Sequence, residues 1–373
     1  MKRISILLLA FCTCFALAAW PQARSLDNHK IIPINDPNAG TGNGQGTLPV
    51  SIDSARNIVG YYMDSNGVYH GFLRDYKTGK FTTIDDPNAG SIGTAANTIT
   101  KYTGGNWITG VYVDSDGEWH GFQFDPKGKF WDIDDPDAGK SGGTQGTYSR
   151  IMNRSGEIAG AYVDSNNVWH DFLLDPNNKK FTNWDCLQAG SGPGQGTNSY
   201  PWMLTPKGEV QAECFDSNNV LHGSMRYPDG KIIDFDAKHA GTDTGQGTNP
   251  ESINSTGWIS GEYGDKRGKW HGFVRDPKGK IREFDATKGA ASTNAWSINS
   301  AREIAGNYCD AQGNCQHGFV RAPDGAITTY YVPGAGKQPA YGLYVTVIND
   351  EGAIAGSYQD SNGVYHGFLR LPY

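Results

Sequence analysis

A tyrosine, an aspartate two residues later and a histidine six or seven residues beyond that recur along this chain. The complete copies are Tyr62–Asp64–His70, Tyr112–Asp114–His120, Tyr162–Asp164–His170, Tyr263–Asp265–His271, Tyr308–Asp310–His317 and Tyr358–Asp360–His366. In a further copy Cys214 precedes Asp216 and His222. If each triple spans a hairpin, phenol, carboxylate and imidazole meet on one face. That grouping could bind a metal or move a proton. It could equally stitch the hairpin with hydrogen bonds, the Asp capping turn amides. Recurrence at equivalent places favours the stitch. Zinc would need these histidines to converge on one point, and a repeat array holds them apart.

Other residues depart from the pattern and are better candidates for a single site. Glu213 and Glu262 share one second-strand position, where other copies have Tyr61, Val111, Ala161, Asn307 or Ser357. A carboxylate pair suits glycoside hydrolysis. The loops Gly44-Gln45-Gly46-Thr47, Thr144-Gln145-Gly146-Thr147, Gly194-Gln195-Gly196-Thr197 and Gly245-Gln246-Gly247-Thr248 offer amides and hydroxyls. They lack the lysine of a phosphate-binding loop. Gln45, Gln145, Gln195 and Gln246 are therefore expected either to pack adjacent units or to face a ligand. Trp107, Trp184, Tyr200 and Trp202 fall outside the aromatic positions of the repeat and are candidate ligand platforms. Tyr69, Trp119, Trp169, Trp270 and Tyr365, each just before an anchor histidine, read as core. The Asp-Ser-Asn-Gly turns resemble fragments of calcium loops, but no closing Glu follows. They are read as turns, and no metal or other cofactor is expected. G-x-S-x-G and dinucleotide fingerprints are absent.

The elements that position these residues follow from the spacing. The anchor histidines lie 50, 50, 52, 49, 46 and 49 residues apart, so the chain is a repeat array. Each unit reads as four short strands, like Pro49–Ile52, Ile58–Met63, Val68–Arg74 and Lys80–Ile84. Asp-Ser-Asn-Gly turns join the second strand to the third. Four antiparallel strands without helices form a propeller blade. Residues 30–40 match residues 80–90, a fourth strand and its exit loop, whereas the chain ends after a third strand. The expected fold is an all-β, seven-bladed β-propeller of four-stranded blades. The N-terminal strand completes the last blade and closes the ring.

Composition agrees with this. Of the 373 residues only 37% are hydrophobic, and there are 50 glycines; many small inter-sheet cores suit that balance better than one deep core. Lys2, Arg3, the apolar run Ile4–Leu17 and Ala16-Leu17-Ala18 read as a cleaved export signal over 1–18. A linker over 19–29 and a single domain over 30–373 follow. The product is expected to be secreted or periplasmic, not membrane-inserted, and monomeric. The net charge of −7, about −9 without Lys2 and Arg3, argues against nucleic acid as a partner. Four cysteines remain after cleavage, consistent with two disulfides. Cys309 and Cys315 flank one hairpin turn, leaving Cys186 for Cys214.

The pattern G-x-Y-x-D-x-x-G-x-x-H-G-F with its D-x-P-x-A-G loop resembles the bacterial extracellular HAF repeat, from Lys30 to Tyr373. The resemblance implies an exported all-β repeat protein and little about activity. Asp171, Ser224 and Cys214 depart from it. The functional expectation is a non-enzymatic binding or scaffold propeller that recognises a carbohydrate or cell-surface ligand on one face. The alternative is a polysaccharide-cleaving hydrolase or lyase with one site on the same face.

Overall fold

The computed structural model describes residues 24–25, 30–199, 204–337 and 342–372. Among them the chain is all strand and turn, without a helix. No helix there is long and apolar enough to cross a membrane. The expected signal over 1–18, Tyr200 and Trp202 lie outside the described residues.

Each repeat folds as an antiparallel meander. In the second repeat Gly93–Tyr102 pairs with Gly105–Val113, that strand with Trp119–Phe124, and that in turn with Phe130–Ile133. The turn between second and third strands is set by its aspartate. The Asp64 carboxylate accepts from the amides of Asn66 and Val68 at 2.8 and 2.9 Å. Gly67 takes the positive φ that follows; in the third and fourth repeats Asn167 and Asn219 take it, a conformation asparagine tolerates better than most residues. The last repeat, Leu343–Ile348, Ile354–Gln359 and Tyr365–Arg370, receives its fourth strand from the other end of the chain. Ile31–Ile34 lies antiparallel to Tyr365–Arg370, with Ile34 opposite Gly367.

The core is divided among the repeats, as the low aliphatic content requires. Phe72, Phe122, Phe172, Phe273, Phe319 and Phe368, from the His-Gly-Phe anchors and the His-Asp-Phe variant, are fully buried. Each full burial is worth about 1.5–3 kcal/mol. The ring of Phe122 lies on Gly110, where a Cβ would come within 2.5 Å of it. This accounts for the glycine two residues before the repeat tyrosine. In the fourth repeat Ser224 replaces the phenylalanine and donates to Asp234 at 2.8 Å. The cysteines pair as Cys186–Cys214 and Cys309–Cys315.

Neighbouring repeats are joined at the start of each first strand. Gly46 bridges Tyr365 in parallel fashion, as Gly93 does Tyr69, Gly146 Trp119, Gly196 Trp169 and Gly247 Leu221. The following threonine is buried, and its hydroxyl accepts the amide of Asp36, Asp86, Asp135, Cys186, Ala237 or Ala286 in the preceding exit loop.

The first strands also carry a shared irregularity. Their register slips between Pro49 and Ser51, Ala96 and Thr98, Ser149 and Ile151, Pro250 and Ser252, Asn294 and Ser297, and Val345 and Val347. Such bulges bend a strand and re-aim the unpaired side chain.

Candidate functional site

The Tyr–Asp–His groups assemble as the spacing predicts. Tyr62 stands opposite His70 and their rings stack 4.9 Å apart. The same stack joins Tyr112 to His120, Tyr162 to His170, Tyr263 to His271, Tyr308 to His317 and Tyr358 to His366. The turn aspartate faces Nε2 of the histidine, at 3.5 Å for Asp114 and His120 and 3.3 Å for Asp360 and His366. Asp164, Asp216, Asp265 and Asp310 approach His170, His222, His271 and His317 in the same way. In five repeats a second aspartate, outside the Tyr–Asp–His triple and at the start of the exit loop, binds Nδ1: Asp85, Asp134, Asp185, Asp236 and Asp285. The hydrogen bond that its Nδ1 donates to the Asp134 carboxylate raises His120 to about 9 against some desolvation. These groups are carboxylate–imidazole clasps on separate hairpins. Asp114, Glu118 and His120 could bring three donor atoms within 4.8 Å, but Asp134 already holds the other nitrogen of that imidazole.

The loop glutamines are engaged within their loops. The side-chain oxygens of Gln45, Gln145, Gln195 and Gln246 accept the amides of Gly42, Ser141, Gly192 and Asp243. Gln145 and Gln195 donate onward to Ser165 and Asn167, and to Ser217 and Asn219, in the hairpin turns. The loops and turns thus share a face. Trp184 is buried with Ala159, Leu204, Val210 and Ala212, and ends its strand where Ile84 and Ile133 end theirs. Trp107 is half-buried, packs on Tyr102 and donates to Thr103.

Side chains from five repeats meet in a cavity of about 510 Å³ between the first strands of repeats 1, 2, 5, 6 and 7. The bulges build it. Of the residues at the six bulges, Val50, Asn97, Glu251, Trp296 and Thr346 line it, and Arg150 does not. Leu48, Asn249 and Tyr344 come from two positions earlier, and Tyr61, Ser357 and Tyr365 complete the wall. Its two sides differ: Leu48, Val50, Tyr61, Tyr344 and Tyr365 are apolar or aromatic, whereas Asn249 and Glu251 are polar. Burial beside Tyr69 and Tyr365 pushes the Tyr61 phenol up to about 12.

The polar side continues into a carboxylate cluster. Glu213, Glu251 and Glu262 are 3%, 4% and 6% exposed. Each takes one amide donor: Asn198 to Glu213 at 3.0 Å, Asn249 to Glu251 at 2.8 Å, and Asn294 to Glu262. Burial, then repulsion from Glu262 and Glu213, drives Glu251 well above the carboxylate range. Burial raises Glu262 to about 7; the Asn294 hydrogen bond opposes this and Glu213 adds to it. The sequence singles out Glu213 and Glu262, and the fold brings Glu251 to them. Glu251 is missed by the motif because its signal is the residue two places after the Thr–Asn pair, compared across repeats. Asp171 is a further buried acid. It takes the glycine position of the His-Gly-Phe anchor and accepts the Ser199 amide at 2.8 Å, and burial holds it well above the usual range.

No family model matches the chain, and no curated protein matches it. Solved structures do. A streptogramin B lyase superposes with a TM-score of 0.56 at 13% identity, over 92% of this chain and 98% of its own. Virginiamycin B lyase from Staphylococcus aureus gives 0.55 at 13%, over 92% and 100%. A chain in a mitotic checkpoint complex gives 0.53 at 12%, over 99% and 100%. At such identities the likeness concerns fold alone, and that fold is the β-propeller.

Proposed function

We infer that this is an exported binding propeller of the HAF-repeat kind. Its seven repeats are seven blades, the strand Ile31–Ile34 closes the ring, and a carbohydrate sits in the cavity where the first strands meet. The observation that carries the reading is the cavity itself, with rings of Tyr61, Trp296, Tyr344 and Tyr365 beside the amides of Asn97 and Asn249 and the carboxyl of Glu251. Sugars need both features: an apolar ring face to stack on and fixed polar groups to orient hydroxyls. The two disulfides support export. The pairing of the first and last strands supports closure. The protein acts as a monomer, without a cofactor.

A second reading, polysaccharide cleavage, is favoured by one observation: Glu262 is held near 7 beside Glu213 and Glu251, as a general acid requires. Thermal unfolding against an oligosaccharide panel, with product release followed in the same samples, separates the two. Ligand that binds only the folded state raises the melting temperature. The expected result is a rise without products. Products lost in Glu262→Gln would replace the binding reading with catalysis.

A further inference from the structure

The hydroxyl donors of the cavity, on Tyr61, Tyr344, Thr346, Ser357 and Tyr365, belong to repeats 1 and 7, whereas its acidic side in repeat 5 presents a buried acceptor without a donor among the described residues. The Nδ2 group of Asn249 turns one of its two donors to Glu251, and its Oδ1 is buried without a donor among the described residues. Asn198, 6% exposed, repeats this behind the cavity: Nδ2 goes to Glu213 and Oδ1 is left without a donor there. The Nδ2 of Asn97 is committed to the Ser149 carbonyl at 2.9 Å. The indole N–H of Trp296 is committed to Asn307 at 2.6 Å, so its ring face is what remains for a ligand. No lysine, arginine or histidine is among the described lining residues. Arg150, at the equivalent bulge of the third repeat, stacks over Tyr148 at 5.1 Å and is outside the lining. Two buried carboxyls, Glu251 and Glu262, thus repel each other beside aromatic rings.

An ammonium group meets this shortage. It brings three donors and no acceptor, it pairs with a carboxylate, and it is attracted to the faces of Trp and Tyr rings. Neutral hydroxyls would leave the acidic side uncompensated, and a carboxylated sugar would add to the repulsion. Resting on the carbohydrate reading above, we propose that the cavity selects an amino sugar with a free, protonated amine, seated between Glu251 and Trp296. Acetylation of that amine removes both the charge and two of its donors.

The test uses the full mature chain and isothermal titration with β-1,4-linked glucosamine oligomers, the same oligomers N-acetylated, oligogalacturonate and spermine. The expected result is at least ten-fold tighter binding of the free-amine oligomer than of its acetylated form. Glu251→Gln, a change of equal shape whose folding is checked by its melting curve, should erase that preference. Trp296→Phe should weaken the free-amine oligomer while keeping its preference. Equal affinity for the two oligomers, or tighter binding of oligogalacturonate, overturns the amine proposal and leaves the carbohydrate reading standing. Binding of spermine with none of the sugars overturns both.

Discussion

At the scale of single residues, the molecule keeps two sets of ionisable groups whose shifts have different signs of partner. The hairpin histidines gain carboxylates. His120 is raised to about 9 from 6.5, so its pairing stabilises fully below about pH 6.5 and is lost as the pH climbs through 9. Glu251 and Glu262 gain no cation among the described residues. Glu262 sits at about 7 instead of 4.5, so the folded state holds its proton more tightly, and stability falls as the pH rises between those values. Two measurements follow. In a proton NMR titration, Asp134→Asn should bring His120 back toward 6.5 while His170, clasped by Asp185, keeps its raised value. Glu262→Gln should flatten the loss of stability between pH 4.5 and 7, on the order of 1–3 kcal/mol. Urea midpoints across that range check it, and an unchanged slope would contradict the burial argument. The histidine clasp was legible in the sequence except for its second carboxylate. Asp85 and Asp134 open the loops that follow the fourth strands and reach the histidine only through the pairing of third with fourth.

Strands and turns add a contrast between glycines that look alike in the repeat. Gly67 and Gly93 both have positive φ, at 85° and 98°. A Cβ on Gly67 would meet nothing within 4 Å, whereas one on Gly93 would lie 1.9 Å from the Tyr69 carbonyl of the preceding repeat. Gly67→Ala should therefore cost only the left-handed backbone, roughly 1–2 kcal/mol. Gly93→Ala should cost more, roughly 2–4 kcal/mol, because the strand junction must open. Denaturation of the two variants side by side tests the ranking. The four-stranded unit and its turns were readable from alternation and Asp-Ser-Asn-Gly, since those are local signals. The bulge was not. It is one residue of slippage against a partner strand, with no glycine to mark it in Leu48-Pro49-Val50-Ser51, so the residues it frees cannot be picked out from one repeat alone.

For the whole molecule, the two chain ends share a sheet. Ile34 is fully buried among Ile52, Ile58, Val347, Ala353 and Leu369. Truncation to residue 30 removes the two-residue strand Arg24–Ser25 beside Thr328 and Thr329 and should change the melting temperature little. Truncation past Ile34 should lower it by several degrees and expose the edge of Tyr365–Arg370, with association seen in sedimentation. Unchanged melting after the longer cut would mean that the terminal strand is dispensable. This arrangement was legible because residues 30–40 repeat residues 80–90. The cavity was not, because its wall draws on positions scattered from Leu48 to Tyr365 that no local pattern links. The bulges have a consequence for how such a protein diversifies. Five of the repeats each submit one bulge side chain to a common chamber, while their phenylalanines and histidines hold the scaffold. The chamber is therefore spelled like a five-letter word, one letter from each contributing repeat, and a point mutation or an exchange of whole repeats can respell it without disturbing the frame that displays it.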